Sequence, residues 1–556
     1  MPKSSDPNQF MRTSGANDSV WVHLEPYSHR PKFPKLDKDI ETDVCVIGSG
    51  ISGISVAEQC VRRGLNVVMI EARDILSGET GRTSGHLASD LDDGYIAIQK
   101  AFGRDGAQAA AESHDWAIKH VGEVAKELGI DCEYRMLKAY DVSQYPVGTK
   151  EHDDDMKELK EEAELASQLG LDFAYDENLK IKGWDGKPDQ RGGNIVGRQA
   201  TFHPTKYLVG VLKWLEKQPN FKCYTHTRAL RINESGIHVP LVDLHLGPKD
   251  VTVTTVDGNT IKCHHAVEAT VIPLQMLSVV AELEYHRTYC IAIRIPKGSV
   301  EDCLIYDTAD PYKYVRMTDC DEKDDYMVVG GCDHKVGQED EWEERYKELE
   351  TWTRERFTKA GSVDYKWSGQ VLDPVDYNAF IGKNSGNNRI YVVTGDSGNG
   401  LTHGVLAGRL IADQIQGIDS PWAKAYDPKR KSSILQKLPS MVEHDVQINT
   451  QYKRFAHSDI KDVEDLGLDQ GGVLNPTAKG PQAVYKDNNG KIHRMSALCP
   501  HLHGVVCWNN DEKSWDCPIH GSRFSPEGLQ ICGPAKTALK PFDDSAKARQ
   551  EISSEP

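Results

Sequence analysis

Cys499-Pro500-His501 and Cys517-Pro518-Ile519-His520 put thiolates and imidazoles, two strong metal-ligating groups, on two short loops. The spacing is C-x-H-x15-C-x2-H. A zinc finger places its Cys pair ahead of its His pair. Here Cys and His alternate, so each loop supplies one of each. A structural zinc site remains the bland alternative at this level. The prolines after each Cys stiffen the loops and pre-set the ligands.

A second constellation lies near the other end of the chain. Gly48-Ser49-Gly50-Ile51-Ser52-Gly53 reads G-x-G-x-x-G. It needs a strand before it and a helix after it. Asp43 to Ile47 is a short apolar β-type run, and Ile51 to Arg63 has helical spacing closed by Gly64. Asn66 to Ile70 reads as the returning strand, which completes a βαβ unit. Gly48 permits the tight turn, Gly50 lets a pyrophosphate approach the backbone, and Gly53 allows close helix–strand packing. The helix start offers amide donors and positive dipole. Glu71, followed by Ala72, ends the second strand, where a carboxylate accepts both ribose hydroxyls and repels a 2′-phosphate. The bland alternative is a glycine turn with a surface Glu.

The fingerprint occurs once. The later Gly395-Asp396-Ser397-Gly398-Asn399-Gly400 does not match it, although a strand (389–394) precedes it and an apolar-periodic helix (401–416) follows. One copy suits FAD with a directly oxidised organic substrate better than reduction by a pyridine nucleotide. The segments 48–71, 78–86 and 394–404 resemble the D-amino-acid-oxidase-like superfamily of FAD-dependent oxidoreductases. The resemblance implies that the loop after Glu71 brings Arg82, Thr83, Ser84 and His86 beside the flavin. It also implies that Gly395, Gly398, Gly400 and Leu401 form a turn and helix start aimed at the flavin ring. A helix dipole there would stabilise the anionic reduced ring. Some amine-oxidising relatives link FAD covalently through a His after the fingerprint. The local motif around His86 differs, so a hydrogen-bonding or packing role is expected.

The Cys/His loops, continuing through Phe524 and Gly533-Pro534-Ala535, resemble the Rieske [2Fe–2S] family. That resemblance implies Cys499 and Cys517 on one iron and His501 and His520 on the other. His503 stands where the family more often has Gly and is left out of the ligand set. Respiratory Rieske proteins add a disulfide between the loops and a Tyr near the cluster. Here Gly504 and Ile519 stand at the disulfide positions and Phe524 at that of the Tyr, while Ser522 is kept. Fewer hydrogen bonds to the sulfurs lower the potential. A Rieske oxygenase needs a catalytic domain after the cluster, and only 36 residues follow His520.

The elements that must position these sites fit a chain of 556 residues, enough for two or three domains. We predict a lead-in at 1–40, a flavin domain at 41–425, a linker at 426–445, a Rieske domain at 446–545 and a tail at 546–556. The expected fold is an α/β Rossmann-type FAD-binding fold with an inserted α+β substrate domain, drawn from about 100–195 and 275–365. A small all-β Rieske domain follows it. Ala-, Glu- and Lys-rich stretches over 100–170 read as helices, and 195–335 reads as mainly β.

Lys and Arg number 66 against 84 Asp and Glu, a formal charge of −18, which argues against nucleic acid and anionic membrane as partners. The 13 Cys are not spaced as a disulfide framework. No run reaches the ~18 apolar residues of a membrane span, and residues 1–20 lack a signal-peptide core, so a cytoplasmic location is expected.

Together the two resemblances imply a FAD-dependent oxidoreductase that oxidises a small organic molecule, an amine or N-methyl amino acid. Electrons would then pass through the cluster to an external acceptor, a protein or quinone-like molecule. The alternative is an electron-transfer reductase that supplies a partner oxygenase. Arg316 is a candidate carboxylate-binding residue, His334 an acid–base group and Lys335 a cation over the flavin. Tyr306, Tyr312 and Tyr314 are candidate wall residues, and Gln370 and Asp376 precede the strand that returns to the flavin.

Overall fold

The structure is a computed structural model that describes residues 8–188, 190–239, 244–246, 250–275, 279–337, 342–430, 454–455, 457–475 and 480–542. The predicted linker beyond Arg430, the predicted Rieske start up to 453 and the predicted tail lie outside these residues. The chain divides into two units, Met1–Lys335 with Glu341–Met441, and Val336–Asp340 with Val442–Pro556. Among the described residues no helix is long and apolar enough to cross a membrane.

In the first unit β1 (Ile40–Ile47) pairs in parallel with β2 (Val67–Ile70) on one side and β4 (Thr260–Glu268) on the other. β3 (Phe221–Tyr224) extends the sheet beyond β2, and β10 (Ile390–Thr394) beyond β4, both in parallel. β9 (Phe380–Lys383) closes that flank antiparallel to β10. Val44, Cys45, Val46 and Ile47 are all buried, as a strand covered on both faces requires. The order reverses at β1, so its carboxyl end opens a crevice for a ligand.

Two helices converge there. α1 (Ile51–Arg62) follows β1, and α2 (Gly400–Gln416) follows β10. They approach closely because Gly404 and Gly408, one turn apart, face α1. A Cβ on Gly404 would lie 2.6 Å from Ile51, and one on Gly408 2.6 Å from the Ser55 carbonyl. Larger side chains would push the helices apart and separate their amino ends.

A nine-stranded sheet forms the second layer. Its core is β8 (Val363–Pro374), β5 (Leu283–Pro296), β7 (Asp324–Lys335) and β6 (Lys313–Asp319), in that order and antiparallel. Strands from 135–142, 193–201 and the short His86–Leu87 join its other side. Helices occur at Gly94–Leu128, broken in conformation at Gly103, and at Lys150–Gln168. A helix at Pro204–Leu215 interrupts the stretch read as β. Its Pro sits in the first turn and its cap is His203, whose Nδ1 accepts from Lys206 N.

The second unit carries a three-stranded antiparallel sheet from 470–496 and a four-stranded one from 507–532. Val473, Ala483, Met495, Val505, Trp515 and Phe524 form its core together with Cys499 and Cys517.

Candidate functional site

The glycine turn is built as its spacing predicts. Gly48 has φ +108°, and a Cβ there would run into the Ala269 carbonyl. A Cβ on Gly53 would strike the Gly48 carbonyl, so the helix start rests directly on the turn. Gly50 differs. A Cβ there would meet Thr80 Oγ1 at 3.1 Å and no main-chain atom, because the residue faces a cavity. Ser49 N and Oγ donate to Glu71 at 3.0 and 2.8 Å, and Arg73 N donates to its other oxygen at 3.0 Å. The carboxylate is thus fixed at the end of β2.

The loop from 75 to 86 is gripped by the lead-in segment. Ser19 Oγ donates to Gly81 O at 2.6 Å, Trp21 Nε1 to Thr83 O at 2.7 Å and Arg30 Nη1 to Ile75 O at 2.9 Å. Arg82 reaches back to Thr13 Oγ1 (3.0 Å), Asn17 O (2.8 Å) and Ser368 O (2.5 Å). Residues that read as an irregular lead-in therefore form a strap over this loop. Trp21 is 1% exposed and Arg82 likewise 1%.

The cavity measures about 1290 Å³, mouth included, and both helix starts open onto it. Of the predicted cofactor residues, Gly50, Ile51, Ser52, Arg82, Thr83, Ser84, His86, Gly398, Gly400 and Leu401 line it. Gly48, Ser49, Gly53, Glu71 and Ala72 stand behind or beyond the turn, and Gly395 packs on Leu283 and Pro374. The wall candidates Tyr306, Tyr312 and Tyr314 line the cavity, and so does Gln370. Asp376 does not. It pairs with Arg430 at 2.6 Å.

The three catalytic candidates are not brought to the cavity. Arg316 is fully buried and donates to the carbonyls of Gly85 (2.6 Å), Phe202 (2.8 Å) and Met317 (3.0 Å). It clamps backbone. His334 stacks on Tyr289 and meets its hydroxyl at 2.9 Å, and Lys335 pairs with Glu284 at 3.1 Å. For His334 the physical reason is a β-bulge. Arg287 pairs with His334 but Tyr289 with Gly331, so Thr288 opposes both Cys332 and Asp333, with Cys332 at φ +59°. The extra residue shifts the alternation, and Asp333 faces the cavity instead.

Sequence reading missed Asp92, Thr288, Asp333, Asp396 and His403 in the lining. Burial pushes Asp333 up to about 6 and Asp396 up to about 7. Burial also holds His86 and His403 well below the ordinary imidazole value, aided by Arg316 and His114 respectively. Both His rings are therefore neutral. His86 Nδ1 meets Tyr306 Oη at 2.8 Å, and its buried Nε2 has no partner. That orphaned nitrogen, the bare Gly50 and two converging helix starts fit a flavin dinucleotide.

In the second unit the two Cys/His loops share one construction. Cys499 N donates to Gly504 O (2.9 Å) and His503 N returns to Cys499 O (2.9 Å). Cys517 N donates to Ser522 O (2.8 Å) and Gly521 N returns to Cys517 O (3.0 Å). The fifth residue of each loop is left-handed, His503 at φ +57° and Gly521 at +68°. His503 is exposed there and fills a conformational post. The Cys499 thiol is lowered to about 7 by its neighbour Cys517, with the His501 and Leu502 amides and the Ser522 hydroxyl adding to the effect. The His501 and His520 rings lie 5.0 Å apart. Among the described residues no three His, Cys, Asp or Glu converge on one ion. A pair of thiols beside a pair of imidazoles fits a binuclear cluster with two ligands per iron. A Cβ on Gly504 would run into Ile519, so the two disulfide positions do face each other, with isoleucine filling the space.

Residues 43–414 match the family described as FAD dependent oxidoreductase (DAO), and residues 457–543 match the Rieske [2Fe-2S] domain. The Bacillus subtilis (strain 168) protein YhfW, named for a Rieske 2Fe-2S iron-sulfur centre, is 29% identical over 95% of this chain and 98% of its own. Gamma-glutamylputrescine oxidoreductase of Escherichia coli (strain K12) is 26% identical over 69% of this chain and 86% of its own. Glycine oxidase from Geobacillus kaustophilus superposes with a TM-score of 0.55 at 14% identity, over 70% of this chain and 99% of that one, a likeness of fold.

Proposed function

The chain belongs to the FAD dependent oxidoreductase family and carries a Rieske domain, and from that premise we propose that it oxidises a small amine or N-methyl amino acid and passes the electrons through the cluster to an external acceptor. The cofactors are FAD and a [2Fe–2S] cluster. The observation that carries the reading is the single cavity onto which α1 and α2 both open, walled by tyrosines and carboxyls. When bound, the flavin would supply a hydride acceptor for the substrate, and the cluster would supply one-electron transfer.

The chain's own residues supply position and field. Gly50 and the α1 amides would cradle the pyrophosphate, and Glu71 would hold the adenosine ribose. The α2 start would direct positive dipole toward the ring. Arg82, Thr83, Ser84 and His86 would line its bed, fixed from outside by the lead-in strap. Cys499, His501, Cys517 and His520 would hold the cluster, with Ser522 donating to the Cys499 sulfur. An oxidase that hands electrons directly to O2 needs no cluster, which supports a separate acceptor.

The test is an anaerobic screen of amines and N-methyl amino acids against the holoenzyme, reading flavin bleaching and the reduced-cluster EPR signal together. Bleaching accompanied by the EPR signal supports the reading. Bleaching by NADH with no response to any amine would instead indicate the reductase alternative.

A further inference from the structure

The cavity is rich in carboxyls and phenols. Asp92, Asp333 and Asp396 line it with Tyr306, Tyr312 and Tyr314. Among the described residues lining it, Arg82 is the one Arg or Lys, and its guanidinium is held by Ser368 O, Thr13 Oγ1 and Asn17 O. Tyr312 donates to Asp92 Oδ2 at 2.5 Å, and Tyr314 meets Thr288 Oγ1 at 2.8 Å.

Two observations go beyond the acids themselves. Asp333 Oδ1 is buried with no hydrogen-bond partner, and so is Nε2 of His403, a residue 2% exposed. Both residues belong to the lining. Carboxyls desolvated together resist ionising unless a cation joins them. Burial raises Asp333 and Asp396, and Asp92, itself exposed, has Asp93, Asp373 and Asp333 as like-charged neighbours. Tyrosine faces attract the same ligand through their quadrupoles.

We propose that the reducing substrate is a cationic amine with no carboxylate on the carbon that is oxidised, held by Asp92, Asp333 and Asp396 among the three tyrosines. This rests on the amine-oxidation reading above and narrows it. The ammonium gives one N–H proton to a wall carboxylate and one C–H as hydride to the flavin. Two electrons leave with that hydride, and the C–N bond becomes C=N in an iminium ion. An α-carboxylate would face like charge, and the one Arg among the described lining residues already has its guanidinium on three oxygens. The rival anion site is Arg287, 1% exposed with both terminal nitrogens unpartnered, but it is not among the lining residues.

The test uses the holoenzyme, with ligand binding read as perturbation of the flavin spectrum under anaerobic conditions. Butylamine and norvaline differ by one carboxylate, and propyltrimethylammonium has the charge but no N–H to lose. The expected result is at least a tenfold preference for butylamine over norvaline, with propyltrimethylammonium binding and causing no bleaching. Asp333→Asn and Asp396→Asn should each weaken propyltrimethylammonium severalfold. Equal or tighter binding of norvaline overturns the inference and leaves amine oxidation standing. Failure of every amine and amino acid to bind, with bleaching by NADH, overturns both. Because wild-type protein settles the preference, a variant that fails to fold does not blunt the test.

Discussion

The indole N–H of Trp21 donates to the carbonyl oxygen of Thr83 at 2.7 Å, across 62 residues of sequence. The Arg316 guanidinium lies 5.1 Å from the same indole and donates to Gly85 O at 2.6 Å. One buried aromatic thus couples the lead-in segment, the loop beside the cavity and the second sheet. Trp21→Phe keeps the packing but leaves Thr83 O unsatisfied, a loss of about 1–3 kcal/mol. The expected outcome is a lower thermal midpoint and faster flavin release, read by fluorescence. Unchanged flavin retention would show that the strap does not hold the loop.

Gly48 and Gly50 should separate folding from cofactor retention. Gly48→Val places a side chain against the Ala269 carbonyl at a positive φ, so the protein should fail to accumulate. Gly50 has φ −77° and no main-chain atom near its would-be Cβ. Gly50→Val should therefore fold, with a native far-UV spectrum, and purify without the yellow colour of flavin.

His503→Gly tests which histidines bind iron. The residue occupies the left-handed position matched by Gly521 in the other loop. Replacement should keep the Rieske EPR signal and raise stability by up to ~1 kcal/mol, since glycine relieves the αL penalty. His501→Ala or His520→Ala should abolish the signal. Loss of signal in His503→Gly would place that residue in the ligand set.

The cluster potential should fall in the lower half of the Rieske range of roughly −150 to +300 mV. Phe524 is fully buried in the core that holds both cysteines and carries no hydroxyl to donate to sulfur. Phe524→Tyr should raise the midpoint in an EPR-monitored titration. A wild-type midpoint near the top of the range would contradict the expectation.

Affinity for a permanently charged amine should rise with pH. Asp333, raised to about 6, and Asp396, raised to about 7, are neutral below those values and charged above them. Asp333 also feels Asp373, His286 and Arg345, and Asp396 feels Asp373 and Glu79. The same raised values mean that these groups cost stability as pH climbs from about 4 toward 7, an effect a bound cation offsets. Propyltrimethylammonium titrated from pH 5 to 8 should bind more tightly across that window and level off above it. A flat profile would remove the carboxyls from its site.

Much of this was legible in the residues. The Gly48–Glu71 unit and the two Cys-Pro loops depend on local spacing, so sequence order carries them. The cavity acids do not. Asp333 reaches the lining because a bulge opposite Thr288 shifts the alternation of β7, and nothing in Gly330-Gly331-Cys332-Asp333-His334-Lys335 announces where the extra residue falls. Arg316 looked like an anion binder because its backbone partners, Gly85 and Phe202, lie 231 and 114 residues away. The helix at Pro204–Leu215 did carry a signal, a Pro in its first turn and apolar residues at Tyr207, Leu208, Val211, Leu212 and Leu215.

The register of the first sheet also dictates when the protein can assemble. Ile40 pairs with Ile261 and Ala266 with Ile390, so two central seams join segments more than a hundred residues apart. At about 5–20 residues per second of synthesis, β1 waits roughly 10–40 s for the strand that covers its flank. Until then the main-chain groups on that edge of β1 must be satisfied by something other than their final neighbour. The nascent chain is therefore most prone to misassembly before its own flavin bed exists, and flavin added during synthesis has no closed site to enter until β10 and α2 have emerged.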